Sequence, residues 1–254
     1  MASENSVGIA EQIRNEFARQ FGDKTDNYIC GESEKFLQND GLLLRFYNHQ
    51  EEKVSEAVQM LDRFLKWRKS FGVDSICESS IATEFLERGV MYTKGLTKQG
   101  NEILWIHSRM WLSRGRDVKQ GTVLLTLILE RILWDRKRPN QAQVCVVMDM
   151  TSAAVSNIDM EMMKFAVNSV QNMYPLIAQC IINFQMPWVF KAAWKIVKSW
   201  LNQRSVEKVL FCGAEDIGNY IDLKYVPIHM GGTSAYVYDN KVTGIGNPDV
   251  MEEK

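Results

Sequence analysis

The residues able to carry chemistry in this 254-residue chain are few, and their spacing narrows what they can do. Asp149 ends the apolar run Val144 to Met150. The carboxyl end of a buried strand is where α/β folds commonly hold a working carboxylate. No base, nucleophile or metal partner lies near it in sequence, so its expected task is to accept hydrogen bonds from the amides of the following loop. The histidines are His49, His107 and His229, and none has the second helical ligand that a zinc site of the HExxH kind requires. There is no GxxxxGKS or GxxxxGKT phosphate loop and no GxSxG nucleophile elbow. Gly244-Ile245-Gly246, the one GxG, follows no strand. These absences predict no catalytic residues, no metal and no cofactor. An enzyme centred on Asp149 is the weakest reading of the chain.

A different chemistry is written into Pro187 to Leu201, PWVFKAAWKIVKSWL. At helical spacing Phe190, Trp194, Val197 and Leu201 form one stripe, and Lys191, Lys195 and Lys198 form a second about 100° round the helix. An aromatic face beside a lysine row suits a helix that meets both acyl chains and anionic headgroups. The competing expectation is an amphipathic surface helix with its aromatic stripe in the core. Trp188 and Trp200 lie off that stripe, and tryptophan beside lysine is typical of a bilayer interface. The expected membrane-contact set is therefore Trp188, Lys191, Lys195, Lys198 and Trp200. Thirteen methionines, with Met148, Met150, Met160, Met162, Met163, Met173 and Met186 in the later half, suit a cavity that must fit flexible chains, although core filling explains any single one.

The elements that must position these residues follow from periodicity. From Ser6 to about Arg88 apolar residues recur at helical intervals (Ile9, Ile13, Phe17, Phe21; then Val54, Val58, Leu61, Leu65), and Gly72 is a plausible helix stop. After Gly89 the texture changes. Val90 to Leu96 and Glu102 to Ser108 read as strands around a Thr-Lys-Gln-Gly-Asn turn. A helix over about Thr122 to Lys137 stopped by Pro139, a strand at Val144 to Met150, and a helix capped by Asp159 and running to about Tyr174 follow. Next come a strand at Cys180 to Phe184, the 187–201 helix, a strand at Val209 to Cys212 and a short helix from Glu215 to Ile221. Strands alternating with helices predict an α/β layer with a largely parallel sheet. The expected divisions are a helical part over 1–88, an α/β lobe over 89–238 and a flexible tail over 239–254.

Thirty Lys and Arg against thirty-one Asp and Glu leave a formal charge of −1, which points away from nucleic acid. The five cysteines show no paired spacing and three sit in apolar runs, as expected of reduced thiols in a cytoplasmic protein. The polar N-terminus is no secretory signal. The longest apolar run, Val123 to Leu129, is far too short for a bilayer of about 30 Å, so any membrane contact is expected to be peripheral.

Several stretches, in order, resemble the CRAL-TRIO domain of lipid-binding and lipid-transfer proteins. They are Asp40 to Ile76 with its LLLRF run, KQGNEILWI at 98–106, VCVVMDM at 144–150, Tyr174 to Phe211, and YVPIHMGG at 225–232. The resemblance implies an N-terminal helical bundle packed on an α/β lobe whose largely parallel sheet floors a hydrophobic cavity, with 187–201 in a gate that opens at a membrane. It implies non-enzymatic binding and transfer of one lipid, and it places Trp105, Met148, Phe165, Ser169, Phe184, Phe190 and Trp194 as lining. Lys208 matches a lysine that contacts the inositol phosphate in phosphatidylinositol-transfer members. Against those members, Leu176 stands where Glu follows the Tyr-Pro pair, and Asn48, His49 and Gln50 replace a basic run. The alternative expectation is an interaction module that keeps the fold without lipid.

Overall fold

The computed structural model describes residues 4–112, 116–135, 143–236 and 238. The expected tail over 239–254 and the helix stop at Pro139 lie outside these residues. The described chain separates into two compact units. One takes the residues up to Ile76 together with Ser169–Leu176; the other takes those from Cys77 to Asp135, 143–168 and from Ile177 onward.

The first unit is helical. Helix α1 (Glu4–Phe21) buries Ala10, Ile13 and Phe17, the three-to-four spacing of one helix face. After the short α2 (Glu32–Leu37), Asn39 caps α3 (Asp40–His49) by accepting the Leu42 amide at 3.1 Å. Helix α4 (Val54–Phe71) is closed by Gly72 in the left-handed region at φ 74°. The core is aromatic: the Phe64 ring lies 5.3 Å from Phe36, 5.6 Å from Phe46 and 5.7 Å from Tyr174. One buried ion pair, Arg68 with Glu32 at 2.6 Å, crosses between α4 and α2.

The second unit opens with α5 (Thr83–Glu87), whose Phe85 meets Trp111 edge-on at 6.1 Å. The two units divide at Ile76, so α5, which periodicity groups with the helical part over 1–88, lies in the second unit. Strands β1 (Met91–Leu96) and β2 (Glu102–His107) form the expected hairpin, with a bulge where Gly95 takes φ 77° against the Tyr225 ring. Helix α6 (Arg116–Leu133) starts ahead of Thr122 because Asp117 in its first turn takes Arg88 at 2.8 Å and the Leu112 amide at 3.0 Å. Then come β3 (Val144–Asp149), α7 (Met160–Asn168), β4 (Ala178–Phe184), α8 (Lys191–Trp200), α9 (Gln203–Glu207) and β5 (Val209–Cys212). Asp159 caps α7 through the amides of Glu161 and Met162. The helix expected to run to Tyr174 widens to a π-helix at Ser169–Met173.

Among the described residues the strands form one sheet in the order β1-β2-β3-β4-β5, antiparallel at the first pair and parallel at the rest. Register divides the side chains between two faces, since successive residues of a strand alternate. Tyr92, Trp105, Val147, Ile182 and Leu210 share one face; Thr93, Leu104, Val146, Ile181 and Val209 share the other. The chain after β5 closes the first face with Ile217, Ile221, Val226 and Met230, all fully buried. Helices α6, α7 and α8 cover the second. Arg131 of α6 reaches Thr93 at 2.7 Å, Trp194 of α8 stands edge-on to Phe211 at 5.3 Å, and α7 packs between α6 and α8. No helix among the described residues is long and apolar enough to cross a membrane.

Candidate functional site

Asp149 lies at the carboxyl end of β3, as its sequence context predicts, and its carboxylate is fully engaged. One oxygen accepts the Thr151 amide at 3.0 Å. The other meets His107 Nδ1 at 3.1 Å and His229 Nε2 at 2.8 Å. His107 also lies 3.2 Å from the Tyr92 hydroxyl through Nε2. Burial by itself would push the Asp149 carboxyl up. The hydrogen bonds from His107, His229 and Thr151 outweigh it and hold the group well below the usual carboxylate range. The two histidines were invisible as partners in sequence, being 42 and 80 residues away. Strand register could have paired His107 with Asp149; nothing in sequence pointed to His229. The arrangement ties the 228–230 turn to the sheet. Among the described residues no group of acidic, histidine or cysteine side chains is arranged to hold a metal.

The two faces of the sheet differ in how completely they close. On the first, Ile103, Cys145, Val147, Ile182 and Phe184 are wholly inaccessible. On the second, Leu104 and Asn183 are buried, but Ile106, Val146, Met148, Ile181 and Val209 remain half-buried although helices lie over them; on the first, Leu210 at the sheet edge is the half-buried exception among the register residues named above. Helix α7 carries the same signature. It is flanked by α6 and α8, its apolar residues include Met162, Met163, Phe165 and Val167, and none of its residues is buried. Apolar groups that face one another across a packed interface normally lose all contact with solvent.

The sequence-derived lining residues divide accordingly. Met148, Phe165 and Trp194 belong to the half-open side. Trp105 and Phe184 do not: both sit on the closed face, with Trp105 donating to the Lys94 carbonyl at 2.9 Å. The cause is strand parity, since a residue one position off turns its side chain to the opposite face. Phe190, in a 3-10 turn ahead of α8, is buried with Met150 and Ala153 in a small core against which Met148 packs. Ser169 is buried in the π-helical turn that belongs to the first unit. Lys208, next to β5, donates to the Ala178 carbonyl at 2.6 Å; burial, and then Arg204, pull its ammonium down.

In the 187–201 segment Lys191, Lys195 and Lys198 are exposed, Trp194 and Trp200 are half-buried, and Trp188 is 78% exposed. A tryptophan that open is unusual for a side chain that buries so much area in most folds. A separate open hollow of about 400 Å³ on the first unit is lined by Ser6, Ile9, Gln12, Leu44, Tyr47, Asn48 and Glu52, a mixed polar surface unlike the half-open face.

An α/β lobe with this strand order, closed on one face and incompletely packed on the other, shares its fold with the crystal structure of Sfh5. The TM-score is 0.66 over 86% of this chain and 84% of that one, at 16% identity. The family model of the CRAL/TRIO domain matches residues 86–232, more than half of the chain, and the chain belongs to that family. Its relatives include a CRAL-TRIO domain-containing protein of Schizosaccharomyces pombe, 26% identical over 84% of this chain and 64% of its own length. The phosphatidylinositol transfer protein CSR1 of Eremothecium gossypii is 24% identical over 83% of this chain and 51% of its own length. Patellin-5 of Arabidopsis thaliana is 25% identical over 78% and 32%. The chain thus spans from about a third to under two thirds of these curated relatives.

Proposed function

We propose that the second unit binds one hydrophobic or phospholipid molecule between the half-open sheet face and helices α7 and α8, and passes it between membranes without chemical change. The observation that carries this is the packing of α7, which buries none of its residues although helices flank it on both sides. An acyl chain laid against Ile106, Val146, Met148, Ile181, Phe165 and Trp194 would complete that packing at about 0.8 kcal/mol per buried CH₂. Helix α8 is the gate, with Lys191, Lys195, Lys198 and the open Trp188 meeting an anionic membrane surface peripherally, and Trp200 beside them. Lys208 is the headgroup candidate. That the relative CSR1 is a phosphatidylinositol transfer protein supports a lipid cargo. The INFQMPWVFKAAWKIVKSWL stretch at 182–201 and PIHMGGT at 227–233 resemble the N-terminal CRAL-TRIO portion of motile sperm domain-containing protein 2. The reading places the chain in the cytoplasm and gives Asp149 no catalytic step, because both its oxygens are held.

Native mass spectrometry of the purified protein, before and after incubation with phospholipid vesicles, tests this. A stoichiometric lipid adduct that exchanges with vesicle lipid is expected, with a lipid-dependent rise in Tm. A persistent apo mass and an unmoved Tm would leave the interaction module as the reading.

A further inference from the structure

On the closed face of the sheet, β3 and β4 bring two cysteines into direct contact. Cys145 and Cys180 are register partners on neighbouring parallel strands, and their sulfurs lie 2.6 Å apart. Strands side by side are about 4.8 Å apart, inside the range of about 4.4–6.8 Å between Cα atoms that a disulfide spans. The two thiols are unequal. Cys145 is wholly buried, whereas Cys180 keeps 8% of its surface open, and the Lys208 ammonium sits at the Ala178 carbonyl two residues before it. The lipid-binding reading uses neither sulfur.

We propose that Cys145 and Cys180 form a reversible thiol–disulfide couple, a modification site that peroxide oxidises through Cys180 and Cys145 resolves. In the first step the Cys180 thiolate attacks one peroxide oxygen; the O–O bond breaks, the sulfur becomes a sulfenic acid, and the second oxygen leaves and takes up a proton as water. In the second, the Cys145 sulfur attacks the Cys180 sulfur, the S–S bond forms, and the sulfenic oxygen leaves as water with the Cys145 proton. Two thiols lose two electrons and two protons, and one peroxide is reduced to two waters. The order of attack follows access: Cys180 keeps 8% of its surface open and Cys145 none, and the Cys145 sulfur lies in contact with it. Electrostatics agree, since the hydrogen bond from Cys145 lowers the Cys180 thiol, burial opposes it, and Lys208 lowers it further, while the same hydrogen bond and burial raise Cys145. Cys212, the third buried thiol of this face, pairs with Phe184 across the ladder, further along the strands. The bridge would close a loop of residues 35 apart that contains α7, so oxidation tethers the helix that forms one wall of the half-open face.

The test is peptide mapping of the folded wild-type protein after hydrogen peroxide treatment and alkylation in denaturant. Trypsin cuts at Lys164, between the two cysteines, so a bridge links two separate peptides. The expected product is that linked pair, about 2 Da lighter than its two thiol peptides together and reversed by dithiothreitol. In Cys145→Ser, dimedone should trap a sulfenic acid on Cys180. Full alkylation of both cysteines after treatment that has oxidised the exposed Cys30 and Cys77 would overturn the proposal, as would a Cys180–Cys212 bridge or Cys180 advancing to the sulfinic acid. The wild-type map decides the matter even if the serine variant fails to fold, and lipid occupancy does not enter its readout.

Discussion

Replacing Asp149 by Asn probes a buried carboxylate held by three partners. The carboxylate is 3% exposed and holds the Thr151 amide on one oxygen and His107 and His229 on the other. Asparagine keeps one oxygen, which the Thr151 amide can retain, but turns an NH₂ toward two ring nitrogens that now face a carboxylate. Hydrogen bonds to a charged group contribute about 1.5–3 kcal/mol each. His229 is half-exposed and will recover solvent, and one ring can accept from the new NH₂. The expected net loss at pH 7 is about 2–4 kcal/mol, or roughly 4–16 °C in Tm at about 2–4 °C per kcal/mol for a chain of this size. The sign with pH follows from the lowered carboxyl. Its contribution is fully present above the unfolded-state value of about 3.9. It declines as pH falls below that value, by about 1.4 kcal/mol per pH unit at most. On going from pH 7 to below about 4 the gap between wild type and Asp149→Asn should therefore shrink. Thermal melts followed by tryptophan fluorescence across this range measure it. A Tm change under about 1 °C at pH 7, or a gap that does not narrow on acidification, would refute the clamp.

Strand parity makes a sharper functional comparison. Val146→Phe, on the half-open face, should reduce bound lipid in native mass spectrometry while leaving Tm within a few degrees; Val147→Phe, one residue on but against the closed core, should overpack it by about 1–3 kcal/mol. Equal destabilisation by both would contradict the difference between the faces. Charge reversal of Lys191, Lys195 and Lys198 together with Trp188→Ala should abolish sedimentation with anionic vesicles, at about 1 kcal/mol per lysine, and leave lipid already bound in place. In the first unit, Arg68→Ala strands Glu32 and should cost about 3–5 kcal/mol, while Glu32→Leu with Arg68→Met should recover most of that in urea unfolding.

Sequence periodicity was enough to recover most of the elements, because each depends on residues within a few positions. The Thr97 to Asn101 turn, the Gly72 stop and the Asp159 cap are local devices, and all three stand where the residues place them. The α6 start was missed because its signal, Asp117 bound to Arg88, joins residues 29 apart. The 187–201 helix starts at Lys191 because Pro187 is followed by a 3-10 turn over Trp188–Phe190.

What the sequence determined by itself is the alternation of helix and strand, the apolar character of every strand and the two-sided chemistry of α8. Those follow from residue type and period alone. Which face of a strand closes was decided by tertiary structure. Val146 and Val147 are the same residue, and only the segment after β5, arriving from beyond residue 212, makes one inaccessible and leaves the other half-open. The same long-range closure put Trp105 and Phe184 into the sealed core, brought His229 to Asp149, and set Cys145 against Cys180 through a strand register that neither cysteine encodes.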